Sequence, residues 1–367
     1  MRKLFAALIS AAFASITSAS AQSFPSRPLT IVVPFAAGGP TDTIARIMAD
    51  RMGRALGQTV IVENTTGAAG TIGVGRVARA TPDGYTIGIG NWSSHVLNPA
   101  VYQLRYDVLT DLEPISLIAN NPQLIVSKNG VPAKDLKGLI AWVKANQDHV
   151  TQGTAGAGSA SHIGGIFFQN MTGTKFQFVP YRGAGPFMQD LLAGNIDLAF
   201  DQAANSLPQV RAGQIRAYAV TAKTRIVSAP EIPTVDEAGL PGLYIAVWHG
   251  LWVPKGTPAD AIAKILTATR DALSDSAVQH RFMELGQEIP ALDQQTPEAL
   301  RDYHTAEIKK WWPIIKAADV RLNWRCHVRS WRKRTMGGGR GTPVKTLNRH
   351  KQVHHAAPHS APSLPML

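Results

Sequence analysis

The chain alternates short apolar runs with amphipathic stretches over most of its length. The run LTIVVPF, residues 29–35, predicts a buried strand, and apolar residues at helical spacing between 44 and 56 predict a helix that opens at Thr43. TVIVEN, residues 59–64, and DGYTIGIGN, residues 83–91, predict the next two strands, with a loop and a helix between them. This rhythm predicts right-handed crossovers and a largely parallel sheet covered by helices on both faces.

The same alternation restarts near Pro122. It predicts, in order, the strand QLIVSK, a helix over 136–146, a glycine-rich loop that enters a helix, the strand FQFVPY, a helix and strand over 186–201, the strand IRAYAVTAK, the block VWHGLWVPKGTP, and helices over 259–285 and 297–317. The pattern therefore predicts a second α/β unit, followed by a third block that returns to the first.

Two α/β units that are joined by more than one crossing segment enclose a cleft. We predict crossings near residues 118–123 and 243–252. The predicted organisation is a discontinuous lobe 1, residues 22–120 and 245–319, and a lobe 2, residues 121–244. The fold class that follows is α/β, with a ligand cleft between the lobes.

The two ends of the chain depart from this pattern. Arg2 and Lys3, an apolar stretch over 4–16 and the small residues before Gln22 predict a signal peptide, residues 1–21, and export to the periplasm. Residues 320–367 are rich in Arg, His and Gly and contain no Asp or Glu. We expect this tail to be disordered, and either a polyanion-binding tail or an abnormal end of the reading frame explains it.

The net charge of +12 comes from the two ends of the chain. Of 37 Lys and Arg residues, ten lie in 320–367 and two lie in the predicted signal peptide, so residues 22–319 carry 25 basic against 25 acidic residues. A neutral body disfavours nucleic-acid binding. The one cysteine, Cys326, excludes an internal disulfide, and the size of the chain permits two cores without bridges. We expect a monomer.

Four loops place small residues at or near the start of a predicted helix. They are FAAGGPTD (35–42), GAAGTIG (67–73), GAGSASH (156–162) and YRGAGP (181–186). The first turn of a helix has N–H groups without partners and a partial positive charge, so it binds anions without Lys or Arg. These loops predict a carboxylate site, although each is also consistent with a connecting turn, with Thr41 or Asp42 as the cap of the first.

Other chemistries have weaker support in the sequence. The glycines of GAAGTIGVG run in the wrong order for a dinucleotide site, so no cofactor is predicted. His95, His162 and His249 lack metal-ligand spacing, so no metal is predicted. Ser159 or Ser161 with His162 suggests an exported serine hydrolase as an alternative, although the sequence has no G-x-S-x-G motif.

Polar residues also follow two strands of the predicted second unit. Asp201 comes at the end of one apolar strand, where a cleft residue would lie, whereas Asp197 before it fits a structural role. Tyr181 and Arg182 follow the strand FQFVP in the same way. Arg182 is predicted either to hold a carboxylate or to lie on the surface.

Eight motifs in order resemble one known family. They are FPSRPLTIVVPFAAGGPTD, VENTTGAAGTIG, ATPDGYTIGIG, HVLNP, VPYRGAGP, DLLAGNIDLAFD, VTAKTR with PTVDEAGLPG, and WHGLWVPKGTP. From about Phe24 to Ala318 the chain resembles the Bug-like extracytoplasmic solute receptors, the substrate-binding proteins of tripartite tricarboxylate transporters. The resemblance implies a type II periplasmic-binding-protein fold whose two lobes close over a small organic acid, held largely by backbone amides and ordered water.

The resemblance also implies a set of ligand contacts. By position they are Phe35, Ala36, Ala37, Gly38, Gly39, Thr41, Asp42, Asn64, Ala69, Ser93, His95, Gly158, Ser159, Ser161, His162, Tyr181, Arg182 and Asp201. Phe187 and Trp92 are bulkier than the family pattern at their positions, so either one is expected to reshape the pocket.

The predicted function is binding rather than catalysis. The resemblance implies a periplasmic receptor that captures a small acid, whether a mono-, di- or tricarboxylate, an aromatic acid or an amino acid. It also implies delivery to membrane permease subunits. Hinge closure suffices for such a function if the ligand contacts both lobes in the closed state.

Overall fold

The computed structural model describes residues 24–317. The predicted signal peptide, residues 1–21, and the predicted tail, residues 320–367, lie outside the described residues. The strands are β1 Leu29–Val33, β2 Val60–Asn64, β3 Thr86–Asn91, β4 Leu112–Lys128, β5 Thr151–Thr154, β6 Gln177–Pro180, β7 Leu198–Gln202, β8 Ile215–Val220 and β9 Ala246–Pro254. The helices are α1 Pro40–Leu56, α2 Thr71–Ala78, α3 Asn98–Val101, α4 Leu136–Ala145, α5 Ala160–Thr172, α6 Ala184–Leu192, α7 Ala203–Arg211, α8 Ala259–Ser274, α9 Ser276–Glu284 and α10 Pro297–Ala317.

Local sequence signals set the ends of the helices beside the cleft. Helix α1 begins with Pro40, whose missing N–H is not needed in a first turn, and ends at Gly57, which has φ +65°. Helix α5 begins after Ser159, whose hydroxyl caps it, and ends at Gly173, which has φ +62°. The predicted helix over residues 43–56 is therefore correct at its end, but α1 begins three residues before Thr43, with Gly39 and not Thr41 or Asp42 at the cap position.

One continuous path of strands joins the two halves of the molecule. The order is β2-β1-β3-β9-β4-β7-β5-β6, and β8 also pairs with β4. Strand β4 pairs with β9 over residues 112–122 and then with β7 and β8 over residues 123–128. We call the part around β1–β3 lobe 1 and the part around β5–β8 lobe 2. The predicted crossing over 118–123 lies within β4, and most of the crossing over 243–252 lies within β9.

The prediction of a largely parallel sheet is correct for β1–β3 and for β5–β7, but it is wrong for β4, which runs antiparallel to β7, β8 and β9. Strands β1, β2 and β3 are parallel, as are β5, β6 and β7. Strand β9 runs antiparallel to both β3 and β4. The reason is that β4 carries the chain out of lobe 1 and β9 brings it back, so neighbouring crossing strands have opposite directions. The predicted residue boundaries of the lobes stay a prediction.

Two further elements differ from the sequence-based predictions. Strand β5, Thr151–Thr154, lies where a loop was predicted. The prediction missed it because the sequence TQGT has no apolar run. The predicted helix over 259–285 is two helices, which meet at Asp275. The Asp275 carboxylate accepts hydrogen bonds from the amides of Ala277 and Val278 at 3.0 and 3.2 Å and so starts α9.

The cores lie between the sheet and the helices of each lobe. In lobe 1, Ile31 and Met48 are fully buried between β1 and α1. Trp92 is also fully buried, and its ring packs edge-on against Trp311 of α10 at 4.7 Å. Trp92 therefore lies in the core. Within residues 24–317, every helix is too short or too polar to cross a bilayer.

Candidate functional site

A cavity lies between the lobes at the carboxyl ends of four strands. Its lining includes residues that end or follow β1, β3, β5 and β7, where α/β proteins place their ligands. It encloses about 400 Å³ of space outside protein atoms, part of it open to solvent. The lining residues are Phe35, Gly39, Pro40, Thr41, Asn91, Ser93, Gln123, Ala155, Ser159, Ala160, Ser161, Ala184, Phe187, Phe200, Asp201 and Gln202.

The loop between β1 and α1 is held in shape by Asp42. Its carboxylate accepts hydrogen bonds from the Gly38 amide at 2.9 Å, from Arg46 Nε at 2.9 Å and from Asn64 Nδ2 at 2.9 Å. Burial would raise the pKa of Asp42, but the hydrogen bonds from Arg46, Gly38 and Asn64 hold the pKa below its ordinary value. Gly38 has φ +78°, which favours glycine. Asp42 and Asn64 therefore support the loop from outside the cavity.

The loop between β1 and α1 has backbone amides at residues 35–39, and two of them donate hydrogen bonds within the protein. The Ala36 amide donates to the carbonyl of Arg182 in lobe 2 at 3.2 Å, and the Gly38 amide donates to Asp42. The part of this loop that lines the cavity beyond Phe35 is the start of α1, Gly39 to Thr41. Anion binding by this loop stays a prediction, which within the cavity lining concerns the positive end of α1.

Thr41 joins this helix start to two buried polar residues. Its hydroxyl accepts from Asn91 Nδ2 at 3.3 Å and lies 3.1 Å from His249 Nε2. Burial lowers the pKa of His249 to about 3, so the imidazole is neutral at physiological pH. The sequence reasoning missed Asn91, although it ends the predicted strand DGYTIGIGN and so lies at the edge where ligands bind.

Lobe 2 contributes the start of α5. The Ser159 hydroxyl accepts from the His162 amide at 3.4 Å, and the Ser161 hydroxyl accepts from the Ala155 amide at 2.9 Å. The hydroxyl oxygens of the two serines lie 3.0 Å apart. The Ala160 amide donates to the Ser93 hydroxyl of lobe 1 at 2.9 Å. Ser159 therefore caps α5, Ser161 ties the helix to the loop that precedes it, and Ser93 ties this helix start to the opposite lobe.

The geometry gives no support to the predicted serine hydrolase. His162 Nδ1 accepts from the Gly158 amide at 3.0 Å, and the imidazole packs edge-on against Phe178 at 4.6 Å. Within the described residues, no hydrogen bond joins this ring to the hydroxyl of Ser159 or Ser161. A nucleophilic serine needs a base within hydrogen-bonding reach. Burial also lowers the pKa of His162 to about 4.

Asp201 is the second-last residue of β7 and lies on the lobe 2 side of the cavity. It is 2% exposed, and its Oδ2 accepts from Asn205 Nδ2 and Ser206 Oγ, both at 2.7 Å. Burial raises the pKa of Asp201 to about 7, against these hydrogen bonds, which lower it. Beside it, Gln123 Oε1 and Gln202 Oε1 have no hydrogen-bond partner in the described part of the chain.

Glycines of lobe 2 allow its backbone to lie close to the loops of lobe 1. A Cβ atom added to Gly185 in α6 would lie 2.8 Å from the carbonyl oxygen of Ala37, and one added to Gly183 would lie 2.9 Å from the Ala36 amide nitrogen. One added to Gly156 would lie 3.3 Å from Ala69. The loops of the two lobes therefore approach at backbone distance, and the structure is a closed form.

The structure brings seven of the predicted contacts to the cavity lining. They are Phe35, Gly39, Thr41, Ser93, Ser159, Ser161 and Asp201. Phe187, expected to reshape the pocket, also lines it. The remaining predicted contacts lie outside the lining: Ala36, Ala37, Gly38, Asp42, Asn64, Ala69, His95, Gly158, His162, Tyr181 and Arg182. A role for each in binding stays a prediction.

Three residues of that second group have other surroundings. His95 is buried, and its ring stacks on Trp252 at 3.9 Å in the core of lobe 1. The Tyr181 hydroxyl donates to Asp190 at 2.5 Å, and Arg182 is exposed. The site also includes residues that the sequence reasoning missed: Pro40, Asn91, Gln123, Ala155, Ala160, Ala184, Phe200 and Gln202. Of these, Gln202 could have been inferred, because it directly follows Asp201 at the strand end.

The family model described as tripartite tricarboxylate transporter family receptor matches residues 44–320. The chain belongs to this family. The match covers most of the chain and ends where the predicted tail begins, so the resemblance to Bug-like receptors is confirmed.

Three solved structures are similar to this receptor. The periplasmic binding protein BugD is 39% identical and has a TM-score of 0.79, over 81% of this chain and 99% of its own. MatC from Rhodopseudomonas palustris, solved with bound malate, is 37% identical with a TM-score of 0.77, over 80% and 100%. Another R. palustris protein, solved with adipate, is 33% identical with a TM-score of 0.76, over 80% and 98%. The receptor therefore has the periplasmic-binding-protein fold, and its function is that of a solute receptor.

Proposed function

We propose that this receptor binds a small dicarboxylate between its lobes in the periplasm and delivers it to membrane permease subunits. The observation that carries the proposal is the lining of the cavity, where the starts of α1 and α5 meet from opposite lobes. The relatives solved with malate and adipate both hold dicarboxylates, which narrows the wider set of acids predicted from the sequence.

Helix starts suit the capture of a carboxylate for an electrostatic reason. Each start carries roughly half of a positive elementary charge and presents N–H groups that have no partner within the helix. Thr41 belongs to the first turn of α1, and Ser161 to the first turn of α5. A carboxylate between the two lobes interacts with both helix starts only when the lobes are closed. Ligand binding therefore stabilises the closed form.

Closure also changes the outer surface of the protein, so that a partner can distinguish the receptor with ligand from the receptor without it. The closed form creates a surface that crosses both lobes, including the contact between the Ala36 amide and the Arg182 carbonyl. A permease that recognises this surface distinguishes the loaded receptor from the empty one, because the surface exists only after closure. Binding without chemistry on the ligand is sufficient for this role.

Calorimetric titration of the purified, ligand-stripped protein tests the proposal. The panel contains C4 to C6 dicarboxylates, a tricarboxylate, a monocarboxylate and the diamide of a dicarboxylate that binds. We expect binding of at least one dicarboxylate and none of its diamide, which has the same shape without the charge. Failure of every acid to bind, or equal binding of the diamide, would overturn the proposal. Export is checked by fractionating cells that express the full chain.

A further inference from the structure

The charge of the cavity lining does not match a ligand with two ionised carboxylates. Among the lining residues there is no Lys, Arg or His, and Asp201 is the one ionisable side chain. The starts of α1 and α5 can neutralise one carboxylate of the ligand. The second carboxylate therefore lies in a cavity whose only charged group would have the same sign.

The hydrogen bonds of Asp201 determine which of its two carboxylate oxygens is available to a ligand. Oδ2 already accepts two hydrogen bonds, from Asn205 and Ser206 in the first turn of α7. Within the described residues no side chain donates to Oδ1, so Oδ1 is the oxygen that remains for a ligand. A proton on Oδ1 leaves both bonds at Oδ2 intact and turns a repulsive contact into a hydrogen bond.

Among the described residues, no cation acts on the pKa of the Asp201 carboxyl group. The titratable groups on the elements packed around β7 are Glu113 and Lys128 on β4, His162 on α5, Asp190 on α6, Arg211 on α7, and Arg216 and Tyr218 on β8, and Asp197 directly precedes β7. None of them contributes to the shift of the Asp201 pKa, whose causes are burial and the hydrogen bonds from Ser206, Asn205 and Gln202. Lys128 pairs with Asp197 at 2.8 Å.

Two carboxyl groups in contact in a dry site hold one proton between them, because both cannot ionise at short distance. We propose that Asp201 shares a proton with the second carboxyl group of the ligand, so that the receptor takes up a dicarboxylate together with one proton. This inference rests on the proposed function. It assigns Asp201 as the residue that distinguishes a dicarboxylate from an acid with an apolar second end.

The proton uptake can be measured directly on the wild-type full-length protein. A dicarboxylate that binds is titrated calorimetrically in buffers of different ionisation enthalpy, and the slope of the observed enthalpy gives the number of protons bound. We expect an uptake of about one proton near pH 8.5, with affinity falling about tenfold per pH unit around that pH. Zero uptake near pH 8.5 together with tight binding would show that Asp201 stays ionised, and the inference would be wrong.

The variant Asp201→Asn provides a second readout. An asparagine carbonyl can accept from Asn205 and Ser206, while its NH₂ group supplies a permanent donor to the ligand. We expect dicarboxylate binding that is independent of pH between about pH 7 and 8.5 and has no proton uptake. Asp50→Asn, an exposed site on α1, is the matched control and should behave as wild type.

The outcomes separate this inference from the proposed function. If no dicarboxylate binds at any pH, the proposed function fails. If dicarboxylates bind without proton uptake, only the role of Asp201 fails, and a ligand hydroxyl or ammonium group that donates to Asp201 becomes the explanation. If Asp201→Asn does not fold, as judged by circular dichroism, the measurement of proton uptake by the wild-type protein still tests the inference.

Discussion

Gly185 provides a test of closure that leaves the cavity lining unchanged. It lies in the first turn of α6, and its φ is not in the positive range that favours glycine. The substitution Gly185→Ala places a methyl group 2.8 Å from the Ala37 carbonyl oxygen and 3.2 Å from Gly39 N in the other lobe. All of the nearest atoms belong to backbone, so no side chain can rotate to relieve the contact.

The size of the effect follows from these distances. The two loops must move about 0.6 Å further apart to restore ordinary contact, which begins at 3.4 Å. Overpacking of this kind costs about 1–3 kcal/mol. Because each 1.4 kcal/mol changes an equilibrium tenfold, we expect dicarboxylate affinity to fall by about 5- to 150-fold. Any strain between the new methyl group and Pro186 is the same in open and closed forms and cancels from the affinity.

Calorimetry measures the affinity, and small-angle scattering with and without ligand measures the closure. The matched control is Gly130→Ala, because Gly130 is exposed and an added Cβ meets only the end of the Lys128 side chain at 3.9 Å. The unliganded melting temperature of Gly185→Ala should stay close to that of wild type. A Gly185→Ala protein that binds the dicarboxylate as tightly as the control would refute the reasoning that the lobes must touch at this glycine.

Three further predictions follow from the same geometry. Thr41→Val leaves the buried His249 Nε2 and Asn91 Nδ2 without their Thr41 partner, so the free energy of unfolding in urea should fall by about 1–3 kcal/mol; an unchanged value would contradict this. Phe187→Leu widens the cavity, so the ratio of adipate to malate affinity should rise, and a constant ratio would count against Phe187 as a boundary of the pocket. Burial lowers the pKa of His249 to about 3 and of His304 to about 4, so the unfolded state binds more protons below pH 6.5. The free energy of unfolding should therefore fall with pH from about 6.5 towards 4, by up to about 1.4 kcal/mol per pH unit per histidine, and His304→Gln should reduce that slope.

Most of the secondary structure could be predicted from local patterns. The strand over 29–33, the helix over 160–172 and the helix over 297–317 all have apolar periodicity and end signals within a few residues of their bounds. The four residues of β5 have no such pattern, since TQGT is a strand only because β6 and β7 pair with it on either side. The full length of β4 was also missed, because its pairing with β9 and then β7 depends on distant parts of the chain.

The candidate site was predicted as a set of loops more accurately than as a set of contacts. Three of the four glycine-rich loops contribute residues to the cavity lining, whereas GAAGTIG, residues 67–73, contributes none. The loop residue Gly38, however, donates its amide to Asp42, and His95 stacks on Trp252. Neither fact is visible in the order of the residues, because each depends on which partner the fold brings within hydrogen-bonding or van der Waals distance.

The sequence by itself determined the alternation of strands and helices and the positions of loops that can bind an anion, since these depend on neighbours only a few residues apart. The tertiary structure decided which of those groups remain for a ligand. The contact between Thr41 and His249 joins residues 208 positions apart. The burial of Asp201, with no cation in the cavity lining, depends on four strands and their helices together. Burial and charge compensation are properties of the assembled surroundings, and no local pattern contains them.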